Sequence, residues 1–324
     1  MKERIKRIPI PTAGVALGLA SLGILLQPYS EVLHIVAGAL SLFMLLLLGL
    51  KAAVFPRMIL EDMKNPIFAG VLATLFMTLM QLSTYLLPLS ENVAFVIWYA
   101  ALFAHFGLML WFSVTFIGRF DLKQVFPSHF IVYVGIIVAS LTSPAFGLEA
   151  LGVAIFWFGL ACFVALLAVM VYRYLKHEVP ESAKPLFCIF AAPVSLSLAG
   201  YLAVSPEASM TMVIVLTALA QTALVLVITQ LPKLLRLKFY PSYAAMTFPF
   251  VVSALALSKV TVFFAGIGVN EVVIASLNGL VLVQTVFGAA MVVYVLARYL
   301  YFFFGPATSK QPQVALARQA KEAA

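Results

Sequence analysis

The residues whose types and spacing suggest chemistry lie in one apolar stretch, residues 240–259, with Pro241 at its start, Pro249 inside it and Lys259 at its end. An interior proline kinks a helix, and an intramembrane lysine by default marks an ion or substrate path. Lys259 follows Phe248 by eleven residues, which at about 100° and 1.5 Å per residue places both on one helix face, roughly 16 Å apart. This pattern favours a pore lining in which Lys259 attracts anions. The alternative is a lysine that extends to the outer lipid headgroups.

The composition indicates an integral membrane protein. Hydrophobic residues make up 64% of the 324 positions and charged residues 10%, which is far outside the range of soluble domains. Apolar runs of 18 or more residues predict transmembrane helices rather than barrel strands. The formal net charge of +8 comes from basic residues scattered between these runs. Such residues mark topology, so we expect the lipid bilayer as a partner and no nucleic acid.

The apolar runs predict an all-α membrane domain over residues 9–304, between an N-terminal tail at 1–8 and a C-terminal tail at 305–324. Ten transmembrane spans fit within it. They are residues 9–27, 31–53, 66–88, 93–117, 127–146, 148–174, 184–204, 208–231, 241–266 and 271–304. The connecting loops are too short to hold a soluble domain.

The charges predict the orientation of these spans. Each turn from an odd to an even span carries one acid and no Lys or Arg. The five acids are Glu31, Glu91, Glu149, Glu207 and Glu271. Of the 20 basic residues, only Lys259 lies away from the loops, tails and helix ends of the other side. The positive-inside rule therefore predicts that both termini are cytoplasmic and that the number of spans is even. We expect the protein in the cytoplasmic membrane.

An internal repeat accompanies the charge pattern. Every odd span begins near a proline, namely Pro11, Pro66, Pro127, Pro185 and Pro241. Seven or eight residues later, four of the five spans have a weak helix position. These positions are Gly18, Gly135, Pro193 and Pro249. We expect five helical hairpins in a pseudo-five-fold ring, with broken odd helices lining a central pore. The alternative is that the small residues only pack helices and that the prolines only begin them.

Short motifs add a resemblance to a known family. The opening IPIPTAGVALGLA, residues 8–20, and the segments FYPS at 239–242 and TFP at 247–249 resemble the tellurite-resistance/dicarboxylate transporter (TehA-like) family, which includes plant slow-type anion channels. The resemblance implies a homotrimer whose protomers each have a pore lined by helices 1, 3, 5, 7 and 9. It also implies a gate formed by a phenylalanine on helix 9, which matches Phe248. Small inorganic anions, tellurite, sulfite or dicarboxylates such as malate are the expected passengers.

Other residues bear on coupling and catalysis. No Asp or Glu lies at mid-membrane, and His105 in span 4 is the only histidine near the midplane. Because coupled carriers usually place such groups there, we expect an anion channel or uniporter. A proton-coupled C4-dicarboxylate, tellurite or sulfite carrier, with His105 as its candidate relay, is the alternative. HExxH and GxSxG motifs are absent, so we expect no enzyme, cofactor or metal. A non-conducting structural or sensory protein is a third alternative.

Overall fold

The structure is a computed structural model that describes residues 2–305; the predicted C-terminal tail beyond Gly305 lies outside the described residues. Within this range the chain forms thirteen α-helices, joined by turns and short 3₁₀ or π segments. The helices are α1 (Lys2–Lys6), α2 (Thr12–Leu26), α3 (Glu31–Val54), α4 (Pro56–Asp62), α5 (Pro66–Leu86), α6 (Glu91–Phe112), α7 (Ser128–Tyr133), α8 (Ile137–Thr142), α9 (Glu149–Lys176), α10 (Ala192–Val204), α11 (Met210–Leu235), α12 (Phe248–Gly266) and α13 (Glu271–Phe304).

Eight helical segments in the described range are long and apolar enough to cross a membrane. Six of them are α3, α5, α6 with the π segment after it, α9, α11 and α13. The other two join a 3₁₀ segment to the helix that follows it, as Glu181–Val204 and Pro241–Gly266. The first and fifth predicted spans contain shorter apolar helices, Thr12–Leu26 and Ile137–Phe146. The protein is therefore a multi-pass membrane protein.

Polar residues at the turns determine where several long helices begin. The hydroxyls of Ser30 and Ser90 accept hydrogen bonds from the backbone N–H groups of Leu33 and Val93, and so cap α3 and α6. The side chain of Asn270 caps α13 in the same way. Such caps satisfy backbone donors that a helix start leaves unpaired. The acids that follow the caps lie in the first helical turn, where the helix dipole favours negative charge.

The helices form an inner and an outer layer. In the most apolar stretches of α5, Glu181–Val204 and Pro241–Gly266, between 67% and 78% of the residues are buried, whereas α3, α6, α9, α11 and α13 bury between 22% and 39%. Nearly all of α2 is buried as well. The outer helices therefore present apolar side chains to lipid, and the inner helices pack against protein on most sides.

The inner helices contact one another in a closed order. Helix α2 packs against α5, α5 against α7 and α8, α8 against α10, α10 against α12, and α12 against α2. Each inner helix also packs against the outer helix that follows it in the chain. A hydrogen bond from the Thr247 hydroxyl to the Gly14 carbonyl, 3.1 Å long, joins the last inner segment to the first. The inner helices thus surround a common axis.

Candidate functional site

A cavity lies on the axis of the inner helices. It has a volume of about 60 Å³, whereas one water needs only about 10–15 Å³. Its lining residues come from all five inner segments and from no outer helix. They are Pro11, Gly14, Leu17, Ile67, Phe68, Val71, Thr74, Met77, Phe130, Ile131, Val134, Gly135, Leu186, Ile189, Ala192, Pro193, Leu196, Ser242, Ala244, Ala245, Phe248 and Pro249.

The cavity occupies the N-terminal halves of the inner segments. On α12 the last lining residue is Pro249, and on α10 it is Leu196. Phe248 is the first residue of α12 and is 7% exposed. It therefore lies where the cavity ends along α12. Within the described residues no aromatic ring pairs with the Phe248 ring, so stacking does not fix its orientation.

Three of the predicted helix breaks line the cavity. Gly135 lies in the turn between α7 and α8, and Pro193 and Pro249 lie in the first turns of α10 and α12, directly after 3₁₀ segments. A Cβ atom at position 135 would lie 2.1 Å from the Ile131 carbonyl oxygen and 2.7 Å from Met77 Sδ, so only glycine fits there. Proline is tolerated early in a helix, because its missing N–H would have no partner.

Gly18 differs from this expectation. Helix α2 continues through it without a break, and Gly18 is not among the residues that line the cavity. A Cβ atom at Gly18 would lie 2.5 Å from the Thr247 Cβ. The glycine therefore permits close contact between α2 and the start of α12, which is a packing role. The break of the first inner segment lies earlier, in the turn before Thr12.

Side chains next to the cavity tie the last two inner segments together. Tyr240 Oη donates a hydrogen bond to Glu181 Oε1 over 2.6 Å, and Ser242 Oγ donates to the Ser182 carbonyl over 2.5 Å. The single proton of the Thr247 hydroxyl is shared between the Gly14 carbonyl and, over 2.7 Å, the Ala244 carbonyl of its own segment. The bonds of Tyr240 and Ser242 therefore join the 3₁₀ segment that precedes α12 to the one that precedes α10.

Lys259 lies on α12, beyond the cavity, and is half-buried. No described residue forms an ion pair or hydrogen bond with its ammonium group. Phe248 and Lys259 belong to one unbroken helix, so the spacing of about 16 Å between them along its axis, expected from the sequence, applies. The lysine is on the same inner helix as the cavity, but it does not line it.

His105 lies on outer helix α6 and is fully buried. Its Nε2 is 2.9 Å from the Val132 carbonyl oxygen on α7, so Nε2 carries the proton and donates a hydrogen bond to that oxygen. Its Nδ1 has no hydrogen-bond partner. Val132 follows Ile131, which lines the cavity, but His105 itself does not. Among residues 2–305, no group of three or more His, Cys, Asp or Glu side chains is arranged to hold a metal ion.

A known protein family matches the chain over nearly its whole length. Residues 7–305 match the voltage-dependent anion channel family. The chain belongs to that family. This match confirms the resemblance to the tellurite-resistance/dicarboxylate transporter group, whose members are anion channels or transporters rather than enzymes. No match was found among curated proteins.

Most of the cavity wall in this family member was not singled out by sequence reasoning. Leu17, Met77 and Leu196 surround the cavity but are ordinary apolar residues in a chain rich in them. Their signal is positional, because each lies six to eleven residues after the proline that begins its segment. Superposition of the five repeats on their prolines would have limited the search for the wall to a short range of each segment.

Proposed function

We propose that the protein is an anion channel or uniporter in which Phe248 closes a path along the axis of the inner helices. The proposed architecture is ten transmembrane spans arranged as five hairpins in a pseudo-five-fold ring. The observation that carries the proposal is the cavity, which all five inner segments line and whose lining along α12 consists of Phe248 and Pro249. The family match supports anions as the passengers.

The wall of the cavity suits weak, transient contact with an anion. It is almost wholly apolar and contains no charged side chain, so it offers no tight site. The helix starts at Pro193 and Pro249 direct the positive ends of α10 and α12 toward the cavity, and such ends favour negative charge. Weak contacts let an ion leave as well as arrive. Lys259, which no described carboxylate neutralises, would attract anions from the far side.

The charge pattern supports an orientation in which the cavity faces the cytoplasm. Basic residues of the loops and the N-terminal tail flank the starts of the inner segments, and the acids lie at the opposite ends. By the positive-inside rule both termini would be cytoplasmic, and the membrane proposed is the cytoplasmic one. A homotrimer with one path in each protomer is proposed from the family resemblance alone.

A proton-coupled carrier of dicarboxylates, tellurite or sulfite is the second candidate, and His105 is the observation that favours it. Its unpartnered Nδ1 is a free proton acceptor inside the membrane domain. Substitution His105→Gln would abolish pH-dependent uptake of radiolabelled malate into vesicles if this histidine relays protons. It would leave a passive anion conductance unchanged.

The test of the channel is current through purified protein in planar bilayers under a chloride or nitrate gradient. We expect Phe248→Ala to conduct more than the wild type, because the substitution removes the ring that ends the cavity. Lys259→Ala in the Phe248→Ala background should lower the conductance, since it removes the cation that α12 carries beyond the gate. The reversal potential should follow the anion gradient in each conducting variant.

Phe250→Ala is the matched control. Phe250 is two residues away on the same helix and is also buried, but its ring contacts Phe287 of outer helix α13, with centroids 5.0 Å apart. Its substitution should leave the conductance unchanged. Equal currents from wild type and Phe248→Ala at equal protein content would refute the role of Phe248 as a gate. If no correctly assembled variant conducted a current, the channel function would be refuted.

A further inference from the structure

A buried polar pair lies beyond Phe248, on the side away from the cavity, and does not line the cavity. Ser21 of α2 and Gln81 of α5 are both fully buried, and Ser21 Oγ donates a hydrogen bond to Gln81 Oε1 over 2.8 Å. Because Gln81 Oε1 accepts the hydrogen bond from Ser21, Nε2 is the other polar atom of the Gln81 amide group. This nitrogen is buried and has no hydrogen-bond partner. Buried donors are nearly always paired, so an unpaired one is unusual.

Both residues continue the cavity-lining stripes of their helices. Gly14 and Thr74 line the cavity, and Ser21 and Gln81 each follow by seven residues. Seven helical steps of about 100° return to within about 20° of the starting direction, roughly 10 Å further along the axis. Ser21 and Gln81 therefore face the same axis as Gly14 and Thr74, at a level nearer the C-terminal ends of the inner helices.

The pair lies just beyond Phe248. A Cβ atom at Gly18 would be 3.3 Å from the Phe248 backbone nitrogen, so Gly18 is at the level of the gate. Ser21 follows Gly18 by three residues, or about 4.5 Å along the helix. An anion that passed Phe248 from the cavity would next meet this level of the path.

We propose that Gln81, oriented by Ser21, is an anion-coordinating residue on the far side of the gate and that the missing partner of its Nε2 is the permeating anion. An amide N–H₂ group donates hydrogen bonds and carries no charge, so it favours an anion over a cation without trapping it. Ser21 is the positioning residue, because its hydroxyl occupies the amide oxygen and leaves the nitrogen for the path. This inference rests on the proposed channel function.

The structure contains a matched control for this chemistry. Gln284 Nε2 of α13 donates to Gln221 Oε1 of α11 over 2.6 Å, and Gln221 Nε2 is again buried without a partner. Both helices belong to the outer layer and contribute nothing to the cavity. Gln221 thus has the same unpaired amide nitrogen, away from the proposed path.

The experiment measures current and reversal potential in planar bilayers, with nitrate and chloride as the probes, in the conducting Phe248→Ala background. We expect Gln81→Met to lower the anion conductance roughly tenfold, which is the loss expected from one hydrogen bond to a charged group. Gln221→Met should conduct like the background. Gln81→Glu is nearly isosteric and replaces the donor by a carboxylate, so it should shift the reversal potential toward that of the cation.

The outcomes separate this inference from the function on which it rests. If Phe248→Ala conducts anions and neither Gln81 variant changes conductance or anion-to-cation permeability, the inference is wrong and the channel stands. The inference is also wrong if Gln221→Met lowers the conductance as much as Gln81→Met. If Gln81→Met does not fold, an unchanged reversal potential in Gln81→Glu overturns it. A silent Phe248→Ala background refutes the channel and the inference together.

Discussion

The ion pair between Lys51 and Asp62 gives a prediction whose magnitude follows from burial. Lys51 Nζ, in the last turn of α3, is 3.3 Å from Asp62 Oδ2 at the end of α4. The lysine side chain is fully buried, and the aspartate side chain is 24% exposed. The pair holds α4 in a position from which its Ile59 packs against a small apolar cluster that includes Phe68, a residue of the cavity wall.

The two partners should differ in the cost of their loss. Asp62→Leu leaves the ammonium group of Lys51 buried without a counter-charge, which costs about 3 kcal/mol, near the low end for a broken buried pair. Lys51→Met leaves Asp62 partly in contact with water. We expect that substitution to lower the free energy of unfolding by about 1–2 kcal/mol, a typical cost for an unpaired polar group.

The double variant Lys51→Met with Asp62→Leu should recover most of the stability. Burial raises the pKa of the Asp62 carboxyl above its ordinary value although the attraction of Lys51 opposes it, so desolvation outweighs the pairing. Replacement of such a pair by apolar residues is often neutral, and we expect a net change within about 1 kcal/mol of wild type.

Denaturation in mixed detergent micelles, followed by circular dichroism, measures these free energies. Lys64→Met is the control, because the pair of Lys64 with Glu61 is about 70% exposed on both sides, and exposed pairs contribute about 0.2–1 kcal/mol. Equal costs for Asp62→Leu, Lys51→Met and Lys64→Met would refute the reasoning. So would a double variant whose loss equals the sum of the two single losses.

Two further predictions concern contacts made by the inner helices. Gly18→Val should lower the free energy of unfolding by about 1–3 kcal/mol through overpacking against Thr247. Gly49→Val should be neutral, because no atom lies within 4 Å of the added Cβ. An unfolding titration in detergent that gives equal losses for the two variants would contradict this prediction. Trp98→Phe should cost about 1 kcal/mol in the same titration, because it removes the 2.8 Å hydrogen bond from Trp98 Nε1 to Thr142 Oγ1, and the exposed Trp111→Phe should change little.

The sequence was sufficient to predict the membrane class and the family, because apolar runs of this length are incompatible with a soluble fold and the short motifs lie at fixed positions along the chain. Gly135, Pro193 and Pro249 lie at turns or helix starts in the structure, since they are residues that interrupt or begin helices for steric reasons. Gly18 shows the limit of that logic. A glycine that breaks a helix and a glycine that lets two helices touch look alike in one sequence, and only the position of Thr247 distinguishes them.

The sequence did not reveal the polar pair beyond the proposed gate, for a related reason. Ser21 and Gln81 are 60 residues apart, and each alone is an ordinary polar residue in a helix. Both face the axis only because of how α2 and α5 are rotated in the bundle. That rotation is determined by contacts between helices rather than by local sequence. A search for polar residues one heptad beyond the lining positions of each repeat would have found both.

The contact between Thr247 and Gly14 has a consequence for how the protein is made. It joins residues 233 positions apart, and contacts between distant residues form late because the intervening chain must first be ordered. During synthesis, the first four inner segments can form only an incomplete wall around the axis. The wall is complete once the fifth inner segment, which contains Phe248, has been made. In the proposed channel, the residue that seals the path therefore belongs to the same segment that completes the wall around it.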